Sequence, residues 1–360
     1  MTHKHANYQD RLGFVQRLLH EQFKLEANAK MDPIQYDPEC PFRYNNFVYH
    51  IRLPSPITPG CATKDEARQP GYNPIPNGAQ EFIVRLTNPD AEGTSPETRV
   101  ENEVAMINLA AAALRYFHPL VVPSGWIIQE LMPGESQKKL ILSQMAKLLK
   151  ILQDYRLSES IIGFGGVMFD ENGRIVSAAM TSVGAGPWLS YESSFKGRLE
   201  VALQRADANR YIQGWHVNGV RDSLVAFVQH GVRSQFESLE TARDKAIIHA
   251  DFTTNNLLFD ASTGRITALI DYDFACIMHP SYEFLRSFDN AAGEQAALRE
   301  AKLHGFPSPL PQSTKDEVNW EIAKAWEDEL EKLDVNRPVT IEGTDKKVIM
   351  KCREENEKLL

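Results

Sequence analysis

The chain has 360 residues, 42% of them hydrophobic, and a formal net charge of −9; that is enough apolar content for one large core or two lobes sharing a cleft, and an acidic balance with no basic stripe speaks against nucleic acid as a partner. Four cysteines, Cys40, Cys61, Cys276 and Cys352, form no CxxC pair, which suits a reducing compartment and offers no zinc pattern. The polar start Met1-Thr2-His3-Lys4-His5 lacks the apolar core of a secretory signal and no apolar run is long enough to span a bilayer, so the expectation is a soluble cytoplasmic protein with no membrane partner.

Gln9 to Phe23 reads as an amphipathic helix with Leu12, Val15, Leu18 and Leu19 on one side. Asn46 to Leu53 reads as a strand, because Phe47, Tyr49 and Ile51 alternate with Val48, His50 and Arg52. Pro54 to Gly78 is rich in Pro and Gly and reads as an irregular insertion. Glu81 to Leu86 resumes an extended pattern. Ser95-Pro96 predicts a helix cap with proline at the first helical position, and Val100, Val104, Ile107, Ala111 and Leu114 predict that helix's apolar face. Trp126 to Met132 reads as a further strand, ended by Pro133-Gly134. Gln137 to Tyr155 predicts a helix with Leu140, Ile141, Met145, Leu148, Leu149 and Leu152 inward. Val167 to Met180 predicts a hairpin turning at Glu171-Asn172-Gly173. Helices around Val220–Gln229 and Val318–Leu333 flank the most informative segment, and the charged tail from Lys346 reads as a solvated helix. There are no internal repeats and no low-complexity tract.

That segment is Ile247-Ile248-His249-Ala250-Asp251-Phe252-Thr253-Thr254-Asn255-Asn256-Leu257-Leu258-Phe259. His-x-Asp with an Asn five residues after the Asp is the spacing of a kinase catalytic loop, in which the Asp accepts a hydroxyl proton and the Asn holds magnesium. The apolar flanks are what a loop between two buried strands requires. A second acidic residue, Asp271, closes the short apolar run Ala268-Leu269-Ile270 and supplies the second hard oxygen ligand. Phosphoryl transfer needs electrostatic positioning more than covalent chemistry, which is why carboxylates and an amide suffice. Asp251 is therefore the candidate catalytic base; His249 is grouped with it at the catalytic loop, more as an anchor than as a proton carrier. Asn256 and Asp271 are the candidate metal ligands, with Mg²⁺ the expected ion.

These residues carry a family resemblance. His249-Ala250-Asp251…Asn256 followed by Ile270-Asp271-Tyr272 resembles the aminoglycoside phosphotransferase and choline kinase-like group of the protein-kinase-like fold, which commonly reads His-Gly-Asp…Asn and then Ile-Asp-Trp. Asp271-Tyr272-Asp273-Phe274-Ala275 with Pro280 is similar to the version found in many fungal members. The resemblance spans about Tyr44 to Lys346. Ala250 departs from the usual Gly, small for small.

The resemblance implies an α+β, bilobal protein-kinase-like fold: a strand-rich nucleotide-binding lobe over 1–132, and a helical catalytic and acceptor-binding lobe over 133–360. It implies a basic strand residue on the nucleotide phosphates, usually Lys; Arg85 stands there and stays charged, with different geometry. Its helical partner is a glutamate, and Glu103 is preferred to Glu101 because it lies at the edge of the expected apolar face. Asn45 and Asn46 occupy the place of a phosphate-covering loop that lacks glycine. Gln129, Glu130, Leu131 and Met132 correspond to the connector that binds adenine. Gly163-Phe164-Gly165-Gly166 leads into a hairpin and so lacks the strand–loop–helix context of a phosphate loop.

The implied activity is ATP- and Mg²⁺-dependent phosphorylation of a small hydroxylated molecule, with GTP in place of ATP and the oligomeric state left open. A cationic acceptor is favoured, since the chain is acidic and Asp273 and Glu283 follow the metal site; Glu283 also fits the first turn of a helix capped by Ser281. A nucleotide-binding pseudokinase or scaffold is the alternative, kept open by Arg85 and the glycine-free loop. A protein kinase fits less well, because Asp-Phe-Gly and Ala-Pro-Glu are missing.

Overall fold

The computed structural model describes residues 7–23, 29–34, 44–58, 70–71, 76–91, 95, 97–115, 135–287, 306, 308–310 and 320–343. The expected strand Trp126–Met132, most of the expected 54–78 insertion and the charged tail lie outside these. Described residues before 97 form one compact unit and those from Glu97 onward form a second.

The first unit is a three-stranded antiparallel sheet, β1 (Lys30–Ile34), β2 (Asn46–Arg52) and β3 (Glu81–Thr87), with β2 in the middle, and a helix, α1 (Tyr8–Phe23). The alternation in β2 does what a period of two dictates: Phe47, Tyr49 and Ile51 turn inward. They meet Val15 and Leu19 of α1 in one core. Burying each such side chain stabilises by roughly 1.5–3 kcal/mol. Arg11 of α1 covers the Phe47 ring at 3.7 Å and donates to the Tyr49 hydroxyl. β1 was not legible in the sequence, because it contains Pro33; as an edge strand it tolerates the missing donor.

The second unit begins with α2 (Arg99–Leu114), then α3 (Glu135–Asp154). α2 corrects the expectation. It starts at Arg99, not at Pro96, and its Ncap Thr98 makes no side-chain cap bond. Its buried face is Arg99, Asn102, Ala105, Met106, Leu109 and Ala110, while Val100 and Ile107 are exposed. The helix is rotated because its polar residues have buried partners, and its alanines allow close packing. α3 follows expectation except that Leu140 is exposed.

The hairpin β4 (Gly166–Phe169) and β5 (Ile175–Ala178) turns at Gly173, whose φ of +72° suits glycine. Next comes α4 (Tyr191–Ala208), which the periodicity reading passed over although a Ser190/Ser193 capping box marks its start. α5 (Val220–Ala226) runs through a π-turn into α6 (Val232–Phe236). β6 (Ala246–Ile248) pairs antiparallel with β9 (Cys276–Met278), and β7 (Leu257–Asp260) with β8 (Arg265–Leu269). α7 (Ser281–Arg286) and α8 (Trp320–Lys332) complete the described elements.

β6 positions the site. All three of its residues are fully buried. Ile247 joins the core built on α2, α3 and α8, while Ala246 and Ile248 join the core built on α4, α5 and α6. A strand clamped between two cores is why the sequence before His249 is uniformly apolar. No helix among the described residues is long and apolar enough to cross a membrane.

Candidate active site

The loop from His249 to Asn256 joins β6 to β7, and the chain returns through β8 to Asp271. The β7–β8 ladder starts at Leu257↔Leu269, and the Ile270 amide donates to the Asn256 carbonyl at 2.9 Å. Asn256 and Asp271 therefore stand at one end of one hairpin. α3 holds the opposite end: Gln144 donates to the Gly264 carbonyl and accepts from the Ile266 amide.

Within the loop, the Asn256 Nδ2 donates to the Asp251 carbonyl and to its Oδ2, both at 2.8 Å. This orients the Asp251 carboxylate and leaves the Asn256 Oδ1 as an acceptor, the end an amide offers to a hard cation.

His249 is fully buried, with its ring edge-on to Tyr272. Its Nε2 lies 2.9 Å from the Ile270 carbonyl. A carbonyl only accepts, so Nε2 carries the proton. Burial pushes its pKa down to about 4, so the ring is neutral near pH 7 and pins the segment before Asp271.

Two backbone features fix the loop. Ala250 has φ +63° and Asp271 φ +65°, both left-handed, a conformation that costs a non-glycine residue roughly 1–2 kcal/mol. Ala250 stands where the resembling group carries Gly, and the turn uses that glycine-like geometry.

Glu283 holds the other side of the loop. Its carboxyl is fully buried and accepts from the His249 amide at 2.7 Å and the Ala250 amide at 2.9 Å, with Ser287 Oγ donating to it. Burial outweighs these donors and raises its pKa to about 7. Ser287 Oγ also accepts from the Phe252 amide. Ser281 does not cap α7; its hydroxyl bonds His279 and Tyr191.

Asp271 has acidic neighbours. One carboxylate oxygen each from Glu103, Asp271 and Asp273 lie within 4.8 Å of one another. At an effective dielectric of ~20, like charges at that separation repel by roughly 3 kcal/mol per pair. Arg99 offsets part of this: its Nε and Nη2 donate to the two oxygens of Asp273, both side chains being 1% exposed. Asn102 Nδ2 donates to the Ala275 carbonyl, and its Oδ1 accepts from the Val167 amide. Glu101, by contrast, accepts from the Phe169 amide at the surface. The donor set of Asn256 amide and Asp271 carboxylate, with Glu103 beside it, consists of hard oxygens and fits Mg²⁺.

Asp273 and Glu283, the acidic residues that follow the metal site in sequence, are both buried, the first bonded to Arg99 and the second to backbone amides of the loop. Neither Arg99 nor Ser287 stood out in the sequence; the signal for Arg99 is a charged residue at a position that continues α2's buried face.

Arg85 lies on β3 opposite Val48, and Asn46 opens β2 opposite Thr87, with the Asn45 carbonyl accepting from the Asn88 amide. These belong to the first unit and Glu103 to the second. Gln129, Glu130, Leu131 and Met132 lie outside the described residues. The Gly163–Gly166 stretch is structural: a Cβ on Gly166 would meet the Ala179 carbonyl oxygen at 2.2 Å, and one on Gly163 would meet Pro187 at 2.8 Å.

A strand-rich first unit and a second unit of helices, with the loop from His249 to Asn256 joining β6 to β7, make up an α+β architecture. The model of the phosphotransferase enzyme family, APH, matches residues 75–316. The chain belongs to that family. Among solved structures it is similar to an ADP-bound aminoglycoside phosphotransferase, APH(2'')-Ib, at 11% identity, covering 88% of this chain and 81% of that one with a TM-score of 0.42. It is also similar to an ethanolamine kinase of Plasmodium vivax, at 13% identity, 90% and 79% coverage and a TM-score of 0.43. Both likenesses are remote, and family membership stands on the sequence match. No curated protein matches the chain.

Proposed function

We propose that the chain is a cytoplasmic, ATP- and Mg²⁺-dependent phosphotransferase acting on a hydroxyl of a small molecule. The observation that supports this most is the bond from Asn256 to the Asp251 carboxylate at 2.8 Å, at the hairpin end that also carries Asp271. Residues 1–132 would form the nucleotide lobe and 133–360 the catalytic and acceptor lobe. Arg85, Glu103, Asn45 and Asn46 are assigned to nucleotide binding, with Arg85 the group for the phosphates, and Gln129, Glu130, Leu131 and Met132 to the adenine connector.

Asp251 accepts the proton of the acceptor hydroxyl as its oxygen bonds to the γ-phosphorus. The bond from that phosphorus to the bridging oxygen breaks, and ADP leaves with that electron pair. A Mg²⁺ held by Asn256 and Asp271 would neutralise charge on the phosphate oxygens. His249 and Glu283 act on the loop, not on the substrate: one ring and one carboxylate hold the backbone on either side of Asp251.

The test is a phosphoryl-transfer screen against a metabolite extract, with ATP or GTP as donor and products read by mass spectrometry. A phosphorylated small molecule supports the reading. Nucleotide binding without turnover of any acceptor favours the scaffold alternative, for which Arg85 and the glycine-free loop speak.

A further inference from the structure

Arg198 of α4 and Arg286 of α7 are two cations that the proposed chemistry does not use. Arg198 lies over the rings of Tyr282, at 4.9 Å, and Phe195, at 5.4 Å, and Arg286 lies 5.7 Å from the ring of Phe274. The two converge. Burial pushes the Cys276 thiol up to about 12 and raises the Tyr282 hydroxyl as well, and both guanidiniums pull each group the other way. Both charges are therefore within electrostatic reach of the same two side chains.

Neither arginine has an ion-pair partner among the described residues. Arg198 is half-buried, and its Nη1 is closed off from solvent without a hydrogen-bond acceptor. Three and four residues away on α4 stand Ser194, Phe195, Val201 and Ala202, none of them acidic. Glu283, three residues before Arg286, gives its oxygens to the His249 and Ala250 amides and the Ser287 hydroxyl. An aromatic face attracts a guanidinium but leaves its charge in place. Its fork of N–H donors matches the oxygens of a carboxylate or a phosphate.

α7 ties this pair to Asp251. Glu283 and Ser287 bond the amides of His249, Ala250 and Phe252, on both sides of Asp251. Arg286 precedes Ser287 by one Cα step of roughly 3.8 Å. An anion held by Arg286 is thus a small molecule's length from the Asp251 carboxylate.

We propose that Arg198 and Arg286 form a subsite for an anionic group, a carboxylate or a phosphate ester, on the hydroxylated acceptor. The subsite rests on the phosphotransferase reading: Asp251 takes the hydroxyl proton at one end of the acceptor, and the two arginines hold its acidic end. The acidic balance of the chain shapes encounter, while the groups lining a site decide what stays bound.

The experiment compares acceptors matched in carbon chain and different in charge: glycerol with glycerate and glycerol phosphate, glucose with gluconate and glucose phosphate, and ethanolamine as the cation. The full chain is used as wild type, Arg198→Gln, Arg286→Gln and Arg286→Lys, and kcat and KM are measured separately. In wild type the acid of a series should have a kcat/KM about 10-fold or more above its neutral parent, the worth of a hydrogen bond between charged groups. Each Gln variant should raise KM for the acid more than it lowers kcat, bringing that ratio to within about 3-fold of parity. Arg286→Lys keeps the charge and should retain part of the preference. A lower KM for the carboxylate or for the phosphate ester identifies which anion the subsite takes, and either supports it. Wild type that prefers the neutral parents or ethanolamine, or Gln variants that keep the wild-type ratio, would overturn the proposal.

A second measurement needs no turnover. The side-chain Nε resonances of Arg198 and Arg286, assigned by their loss in the variants, should shift on titration with glycerate or glycerol phosphate and stay in place with glycerol. If no acceptor is phosphorylated, the phosphotransferase reading fails separately. The resonances then decide the subsite: a shift with an anion upholds it, and no movement with any anion refutes it.

Discussion

Asp251 is the residue on which the proposed chemistry turns, because its carboxylate is oriented by the side-chain amide of Asn256. Asp251→Asn should keep the loop and abolish proton acceptance. The expected loss in kcat is on the order of 10²-fold or more, with nucleotide affinity retained; turnover near wild type in a folded variant would contradict the role. Asp271→Ala should weaken Mg²⁺–ATP binding more than Asn256→Ala does, since an anion contributes more to a divalent cation than an amide. Calorimetry with both variants checks the order. At Ala250, two effects nearly cancel. Glycine would relieve left-handed strain of roughly 1–2 kcal/mol but would lose a buried methyl worth about 0.8 kcal/mol and gain unfolded-state entropy. Ala250→Gly should therefore shift stability by less than about 1 kcal/mol. Ala250→Val, branched at a positive φ within a buried turn, should cost about 1–3 kcal/mol in urea unfolding, and a neutral valine would show that the turn is not so constrained.

At the level of elements, Glu283 ties α7 to the loop from His249 to Asn256. Glu283→Gln offers one acceptor where two amides donate, so one buried N–H is orphaned at a cost of about 1–3 kcal/mol; Glu283→Ala orphans both and should cost more. Both variants should lower kcat more than they raise KM, because the loop geometry and not the substrate contact is lost. Equal stability and activity in Glu283→Ala would show that the loop holds itself. Elements were legible in the sequence where the pattern was local. β2 alternates, α3 repeats at helical spacing, and the hairpin at Gly173 carries its own turn chemistry. The loop from His249 to Asn256 stands out by its spacing, between strands that its apolar flanks announce. α2's rotation was not, because Arg99 is buried by a residue 174 positions away and Asn102 by one 65 positions away. Polar residues on a buried face look exposed until their partners are known. α4 was missed although Tyr191, Phe195, Leu199 and Leu203 recur every four residues, a stripe narrower than the one a broad apolar face presents.

For the whole molecule, buried titratable groups set the response to acid. His249 and His279 have pKa values pushed down to about 4 by burial. Their stabilising contribution is present above the unfolded value near 6.5 and is lost as pH falls through about 4. Glu283, raised to about 7, works in the opposite sense: its contribution is present below about 4.5 and is lost as pH rises through 7. The two histidines outweigh Glu283 in this window, and the lowered carboxyls of Asp170 and Asp207 act in the same sense, so stability falls on acidification between about pH 6.5 and 4. Urea unfolding across that window should show stability falling with pH, and His279→Gln should make the slope shallower by about one proton; an unchanged slope would mean that the His279 site does not titrate as its burial requires.

The proposed activity is transfer of the γ-phosphoryl group of ATP to a small-molecule hydroxyl at Asp251. The most direct measurement is transfer of label from γ-labelled ATP to a panel of amino-alcohols, aminoglycosides, sugars and generic protein substrates, run with wild type and Asp251→Asn and with each product's mass determined. Wild type should yield a labelled small molecule heavier by one phosphoryl group, and Asp251→Asn almost none. Label found on protein with no small molecule modified, or equal transfer by the two proteins, would contradict it.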